Sequence, residues 1–208
     1  MGVEVEARFR ADARATLERL AQRPTLATAT LGPGRTALEE DRYLDTADAR
    51  LGAARWACRL RTREGVTRIS LKGPPDAPIT GWLHRRPEVE GPASPTVDPD
   101  MWPESEAREL LTRLSGGAPL VERLRLLQER TELAVTLEGR ALGTLTLDVV
   151  TVERSGRSIG ELLVVEMEIR ADGDAERDLG PLAEALAAEP GLRPEPRTKL
   201  ELSLDLAG

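Results

Sequence analysis

Polar and apolar side chains alternate along most of this chain, and the alternation begins near the N-terminus. Over residues 3–9, Glu4, Glu6 and Arg8 share one face and apolar side chains share the other, because successive residues of a strand point to opposite sides. The same alternation predicts further strands near residues 40–45, 54–63, 67–72, 82–90, 120–128, 131–137, 142–153, 161–169 and 199–206. The chain is therefore predicted to be rich in strands.

Apolar residues at helical spacing predict three helices between these strands. They cover residues 12–22, with Asp12 as the expected N-cap, residues 104–114 and residues 174–188. The proline-rich stretch 91–103 has no period and is predicted to be a loop. Strands and helices mixed in this way are typical of an α+β fold, and a chain of 208 residues suits one large domain or two small ones.

The polar faces have two interpretations. An antiparallel sheet with one solvated face produces such alternation routinely. A closed barrel with a polar interior and helices outside is favoured here because the charges segregate by strand, with Glu4 and Glu6 near one end of the chain, Glu166 and Glu168 near the other, and arginines between them. A metal-bound polyphosphate would need such an interior, in which carboxylates hold the cation and basic side chains bind the phosphates.

Composition narrows the classes of function. The net charge of −7 argues against a general nucleic-acid or anionic-membrane binder. The single cysteine, Cys58, excludes an intrachain disulfide, and the single histidine, His84, gives little support to zinc or triad chemistry. With neither a signal peptide nor a membrane-spanning pattern, we expect a cytoplasmic monomer or homodimer that binds neither nucleic acid nor membrane. His84 is expected at the surface, and the acidic run of residues 39–41 is expected to be solvated.

The order of these polar residues resembles the CYTH superfamily, the triphosphate tunnel metalloenzymes. Glu4, Glu6 and Arg8 resemble its ExExK signature, with arginine in place of lysine. The other resembling segments follow in order: Tyr43-Leu44-Asp45-Thr46, Arg59-Leu60-Arg61, Leu71-Lys72-Gly73, Arg85-Arg86-Pro87-Glu88-Val89-Glu90, Arg125, Arg130, Asp148, Glu166-Met167-Glu168 and Lys199. The resemblance covers essentially the whole chain and implies a single domain over residues 1–208.

The resemblance implies an eight-stranded antiparallel barrel that forms a tunnel, binds Mg²⁺ or Mn²⁺ and hydrolyses a triphosphate. The metal ligands that it implies are Glu4, Glu6, Asp148, Glu166 and Glu168. The phosphate-binding residues that it implies are Arg8, Arg59, Arg61, Lys72, Arg86, Arg125, Arg130 and Lys199, and the catalytic residues are Glu4, Glu6, Lys72 and Glu168. Arg125 and Arg130 have opposite strand parity, so one of them should face outward unless a bulge intervenes.

The leading functional hypothesis is the hydrolysis of inorganic triphosphate to diphosphate and phosphate. The alternatives within enzymes are a thiamine or nucleoside triphosphatase and an adenylate cyclase. A non-catalytic polyphosphate- or nucleotide-binding module on the same barrel is an alternative of another class, although pure anion binding would be better served without the carboxylates. A structural sheet protein without a ligand is the third possibility. Arg8 keeps the charge of the signature lysine but is a planar fork, which suits a phosphate clamp better than proton transfer.

Overall fold

The computed structural model describes residues 2–75, 82–169 and 175–208, and these residues form eleven strands, five α-helices and one short 3₁₀-helix. The elements in chain order are β1 (Gly2–Ala11), α1 (Arg14–Ala21), β2 (Thr25–Leu26), β3 (Ala29–Leu31), β4 (Arg35–Thr46), α2 (Arg50–Ala53), β5 (Ala57–Arg63), β6 (Val66–Lys72), β7 (Leu83–Pro92), the 3₁₀-helix (Pro99–Met101), α3 (Glu106–Ser115), β8 (Leu120–Leu137), β9 (Arg140–Arg154), β10 (Arg157–Ile169), α4 (Ala175–Ala187), β11 (Leu192–Pro194) and α5 (Lys199–Ala207).

Eight of these strands close into an antiparallel barrel. Their order around the barrel is β4, β5, β6, β7, β1, β10, β9 and β8, and β8 pairs with β4 to close it. The short strands β2 and β3 extend from β8, and β11 pairs with β1. Helices α1, α2, α3 and α4 pack against the outer faces of the strands, so the predicted eight-stranded barrel with external helices is confirmed.

The apolar outer faces of the strands pack under helices. One cluster of buried side chains joins β1, for example Phe9, to Leu17 and Leu20 of α1 and to Leu179 and Leu182 of α4. A second cluster joins β5, β6 and β7 to α2 and α3. Because the apolar sides of β1, β5, β6 and β7 pack outside, the polar sides of these strands face the barrel interior.

The interior itself is divided into an apolar and a charged part. Inward-facing side chains of β8 and β9, such as Leu124, Leu126 and Val150, form a buried apolar cluster with Leu202 of α5. The remainder of the interior carries charged side chains. Helix α5 therefore packs against one part of the interior and delivers Lys199 to the other.

The C-terminal prediction was wrong, because residues 199–206 form helix α5 and not a strand. The side chains of Lys199, Leu202 and Ser203 are buried, which is the i, i+3, i+4 spacing of a helix face. The helix begins with a capping box: Thr198 Oγ1 accepts from the backbone N–H of Glu201 at 3.1 Å, and the Glu201 carboxylate accepts from that of Thr198 at 2.7 Å.

Further boundaries differ from the sequence prediction. Helix α2 was not predicted, strand β5 begins at Ala57 and not at residue 54, and residues 99–101 of the predicted loop form the 3₁₀-helix. Segments 120–128 and 131–137 are one continuous strand, β8, because Glu129 and Arg130 stay paired with Val149 and Asp148 of β9. Helix α1 has Ala13 and not Asp12 as its N-cap. The Asp12 carboxylate instead accepts a hydrogen bond from the Thr16 hydroxyl at 2.9 Å.

Candidate active site

The inward-facing charged side chains line a cavity of about 160 Å³ inside the barrel. Strand register brings them together, since Glu6 lies opposite Glu168, Arg8 opposite Glu166, and Glu4 opposite Arg86. The sequence-predicted residues that line this cavity are Glu4, Glu6, Arg8, Arg59, Arg61, Lys72, Arg86, Arg130, Glu166, Glu168 and Lys199. Six barrel strands and one helix thus contribute to a single site.

The two β1 carboxylates lie in different electrostatic surroundings. Glu4 contacts the Lys72 ammonium and accepts from Arg86 Nε at 2.8 Å. Burial would raise the pKa of Glu4, but Lys72 and Arg86 hold that pKa well below its usual range. Glu6 accepts from Arg8. Burial, together with repulsion from neighbouring carboxylates, outweighs the Arg8 charge and raises the pKa of Glu6.

Glu168 is the carboxylate of the cavity without a cation of its own. Within residues 2–75, 82–169 and 175–208, its side chain makes neither an ion pair nor a hydrogen bond, and it is exposed to the solvent of the cavity. The surrounding protein and the charges of Glu4 and Glu6 raise the pKa of Glu168 to about 7. Since Glu168 lies directly opposite Glu6 in the sheet, like charges face each other there.

Glu166 and Asp148 are held by buried cations. Glu166 accepts from Arg8 Nε and from Lys199 Nζ, both at 2.7 Å. Asp148 lies behind the cavity wall, where Arg130 donates to both its oxygens at 2.8 and 2.9 Å and Lys199 contacts one of them. Burial would raise the pKa of each carboxyl, but these cations lower both.

Asp41 orders the arginines of β5 and was missed by the sequence analysis. Arg61 donates to both oxygens of Asp41 at 2.7 Å, Gln128 donates at 2.7 Å, and Arg59 lies 3.4 Å away. Asp41 is fully buried and Glu39 nearly so. The expected solvation is therefore wrong for these two residues. Their parity with the buried Tyr43 was the signal in the sequence, because residues 39, 41 and 43 of a strand share one face.

Arg125 and Arg130 lie on opposite sides of β8. The register between β8 and both of its neighbours is continuous from Arg125 to Arg130, so their opposite parity is kept. Arg130 is buried at the cavity, whereas Arg125 is on the outer face, 3.2 Å from Glu122 and 3.7 Å from Glu40. Only Arg130 is in position to contact a ligand in the cavity.

His84 is buried, so the expected surface location is wrong. Its Nδ1 lies 3.3 Å from Arg8 Nη1, and its Nε2 lies 2.9 Å from the carbonyl oxygen of Glu195. Both partners are far away in the sequence, which explains why composition and local pattern did not reveal the burial. Asp45 has a structural role: its carboxylate accepts from the backbone N–H groups of Leu51 and Gly52 in α2, at 2.9 and 3.0 Å.

The donor set of the cavity fits a hard divalent cation. In the described ranges no three Asp, Glu, His or Cys side chains already stand in metal-binding geometry. Among the described residues neither oxygen of Glu168 has a partner, and Glu168 stands beside Glu6 and Glu4. A cation would relieve the mutual repulsion of these carboxylates. Carboxylate oxygens are the donors that Mg²⁺ and Mn²⁺ prefer. To bind a metal ion, the Glu4 carboxylate would have to give up its contact with the Lys72 ammonium.

A second, more apolar cavity of about 480 Å³ adjoins the charged one. The two share Lys72 and Arg86 in their walls. The apolar wall of the second includes Trp56 from the segment before β5 and Leu200 and Leu204 from α5. A ligand with a charged end and an organic end could occupy both cavities.

Comparison with known proteins finds a matching family model and solved structures with the same fold. The family model of the CYTH domain matches residues 2–203. No curated protein matches the sequence. Among solved structures, HpAC1 from Hippeastrum, described as an adenylyl cyclase candidate with a dominant triphosphatase activity, is 18% identical, with a TM-score of 0.69 over 97% of this chain and 95% of that one.

Two microbial structures share the fold at similar identity. An adenylate cyclase candidate from Bacillus halodurans is 22% identical, with a TM-score of 0.63 over 97% of this chain and 98% of that one. The protein PH1819 from Pyrococcus horikoshii OT3 is 21% identical, with a TM-score of 0.57 over 96% and 98% of the two chains. Separately, none of the helices in the described residues has the length and apolar character needed to cross a bilayer.

Proposed function

This chain belongs to the CYTH family, and we propose on that basis that it is a divalent-metal-dependent triphosphatase whose substrate is inorganic triphosphate. The observation that carries the proposal is the charged cavity inside the barrel, in which basic side chains from several strands surround a group of carboxylates. Enzymes of this family are generally dependent on divalent metal ions. The products would be diphosphate and phosphate.

The basic residues of the cavity would bind the phosphate oxygens. Arg59 and Arg61 of β5 are held in place by the buried Asp41, and Arg130 by Asp148. Guanidinium groups fixed in this way bind phosphate with little loss of side-chain freedom, and they stabilise the charge that develops on the transferring group. Lys72 and Arg86 would add to this clamp, with Arg8 and Lys199 supporting it from behind.

The carboxylates would hold the metal and assist the attack of water. Mg²⁺ or Mn²⁺ bound there would neutralise phosphate oxygens and polarise the scissile bond. Glu4, Glu6 and Glu168 are the proposed primary ligands, and Glu166 and Asp148 would join them only if Arg130 and Lys199 turned toward the substrate. Glu168, whose carboxylate has no ion pair or hydrogen bond among the described residues, is also the proposed acceptor of a proton from the attacking water.

An organic triphosphate is the second candidate substrate. The adjoining cavity with Trp56, Leu200 and Leu204 could take a flat organic group while its phosphates reach Lys72 and Arg86. Thiamine triphosphate and nucleoside triphosphates, including the substrate of an adenylate cyclase, have this chemistry. The triphosphatase activity described for the Hippeastrum protein is consistent with either substrate class.

A substrate panel with a matched pair of variants tests the proposal. Inorganic triphosphate, thiamine triphosphate and ATP are incubated with Mg²⁺, with Mn²⁺ or with EDTA, and phosphate and cyclic AMP are measured. Arg130→Gln, inside the barrel, should lower kcat/KM at least about 100-fold by removing a charged phosphate contact. Arg125→Gln, on the outer face of the same strand, is the control and should stay near wild type.

The same panel separates an enzyme from a binding module. Metal-dependent phosphate release from inorganic triphosphate supports the proposal, and a clear preference for thiamine triphosphate or ATP supports the second candidate. Tight triphosphate binding without turnover would favour a non-catalytic module. Equal activity of the Arg130 and Arg125 variants would contradict the proposed clamp.

A further inference from the structure

Arg8 and His84 form a buried pair beneath the proposed metal site. Only 2% of Arg8 and 1% of His84 is exposed, although both are polar. They come from neighbouring strands, since β1 pairs with β7 and His84 lies opposite Glu6. Neither the binding of metal nor the clamping of phosphate accounts for a histidine at this position.

The Arg8 guanidinium is held on all sides. Its Nε donates to Glu166 at 2.7 Å and its Nη2 donates to Glu6, so that one group joins carboxylates from two strands. Its Nη1 lies 3.3 Å from His84 Nδ1 and donates to the carbonyl oxygen of Arg197 at 3.1 Å. Since a guanidinium has five N–H groups, these contacts leave at most one for a phosphate. Arg8 therefore fixes the carboxylates more than it binds substrate.

The hydrogen-bond partners define the state of the imidazole. The carbonyl oxygen of Glu195, 2.9 Å from Nε2, can only accept, so Nε2 carries the proton. The opposite nitrogen, Nδ1, is then a bare acceptor for Arg8 in the neutral ring. Burial first, and the Arg8 charge second, lower the pKa of His84 to about 4, so that the ring stays neutral at physiological pH.

We propose that His84 is a positioning residue, whose Nδ1 accepts a hydrogen bond from Arg8 and so fixes the guanidinium that spaces Glu6 and Glu166. Its effect on catalysis rests on the proposed function, whereas its contact with Arg8 does not. Without an acceptor at this place, a buried Arg8 N–H would have no partner, and the guanidinium would turn to find one. Glu6 and Glu166 would then lose their fixed separation.

The first test observes the imidazole directly. The chain has a single histidine, so the ring signals of ¹⁵N-labelled, tag-free protein need no assignment. We expect the Nε2–H tautomer at pH 7 and no protonation as the pH is lowered to 5, well below the ordinary pKa of 6.5. An Nδ1–H tautomer, or titration near the ordinary value, would overturn the proposal.

The second test uses two amide substitutions that differ in which ring nitrogen they replace. In His84→Asn the side-chain oxygen can stand near the position of Nδ1, whereas in His84→Gln the amide reaches toward the position of Nε2. We expect His84→Gln to lower kcat and Mn²⁺ affinity about tenfold, with KM for inorganic triphosphate changed less than about twofold. His84→Asn should stay within about threefold of wild type.

A purely structural histidine gives a different result. Both variants would then lose activity to the same extent, in proportion to their loss of thermal stability, and the proposal would be overturned. In an Arg8→Lys background, His84→Gln should add less than about a twofold further loss, because the guanidinium that His84 positions is gone. If His84→Gln caused the same loss in the Arg8→Lys background as in wild type, the proposal that His84 positions Arg8 would be contradicted.

The outcomes for His84 and for the proposed function are distinguishable. If wild-type protein fails to hydrolyse any triphosphate, the proposed function fails. The variants are then compared by their affinity for Mn²⁺, measured by electron paramagnetic resonance, and not by kcat. Weaker Mn²⁺ binding in His84→Gln than in His84→Asn supports the positioning role. Identical Mn²⁺ binding in wild type and both variants overturns it.

Discussion

Replacing Glu168 by glutamine is expected to stabilise the metal-free protein at pH 8, although it removes a proposed metal ligand. The Glu168 carboxylate faces Glu4 and Glu6 and has no cation of its own among the described residues. Glutamine preserves the shape of the side chain and removes the charge. The repulsion between carboxylates therefore disappears, while the barrel contacts stay the same.

The size of this effect follows from the pKa of Glu168, which rises from 4.5 to about 7 on folding. A shift of this size corresponds to about 3 kcal/mol for a fully buried group. Since the Glu168 side chain is in contact with solvent, screening reduces the expected gain to about 1 kcal/mol.

The sign of the pH dependence is fixed by the direction of the shift. Between pH 4.5 and about 7 the folded state holds a proton on Glu168 that the unfolded state has released, so the stability of the wild type falls as the pH rises through this window. Glu168→Gln lacks this dependence. The two proteins should therefore be equally stable at pH 4.5 or below and differ most above pH 7.

Urea unfolding in EDTA, followed by the fluorescence of the three tryptophans, measures the difference at several pH values. Glu161→Gln, on the same strand but on the surface and paired with Arg14, is the matched control and should be neutral or slightly destabilising. Added Mn²⁺ should stabilise wild type more than Glu168→Gln. A Glu168→Gln protein that is less stable than wild type at pH 8 without metal would contradict the repulsion of Glu168 by Glu4 and Glu6.

Three further substitutions test the framework around the cavity, each by its urea-unfolding free energy. Asp41→Asn should cost about 3 kcal/mol, because Arg59 and Arg61 lose the buried carboxylate that they share, whereas Glu40→Gln on the outer face should cost less than about 1 kcal/mol; equal costs would contradict the buried network. Thr198→Ala should cost about 1 kcal/mol by removing the cap of α5, and no loss would argue against the capping box. Gly143→Ala should cost about 2 kcal/mol, since an added Cβ would meet the carbonyl oxygen of Glu168 at 2.0 Å, and a neutral result would contradict that close approach.

The barrel strands could be predicted because the alternation of polar and apolar residues within a strand shows which side chains share a face. The alternation of Glu4, Glu6 and Arg8 with apolar residues fixed which side of β1 faces inward, and that pattern is local. Closure of the barrel follows from the segregation of charge by strand and from the resemblance to the family. The parity of Arg125 and Arg130 likewise indicated that only one of them could face the cavity.

The C-terminal helix shows where alternation misleads. Leu200, Leu202 and Leu204 alternate as in a strand, but a short apolar series fits more than one period. The capping box of Thr198 and Glu201 was the local signal that favoured a helix. It outweighs the alternation because α5 buries Leu202 against the barrel interior.

The buried polar network could not be predicted from local pattern, because it depends on contacts between distant parts of the chain. His84 finds its acceptor at Glu195, 111 residues away. The local charge pattern predicts a solvated run for the acidic residues of β4, although Asp41 shares its face with the buried Tyr43. Charge alone does not reveal burial when the compensating arginines lie on another strand.

The most direct test of the proposed hydrolysis is ³¹P NMR of inorganic triphosphate incubated with wild-type protein, with Mg²⁺ or with EDTA. We expect the triphosphate signals to be replaced by those of diphosphate and phosphate in equal amounts, only when Mg²⁺ is present. Triphosphate signals that broaden through binding but never convert, or conversion that proceeds equally in EDTA, would contradict it.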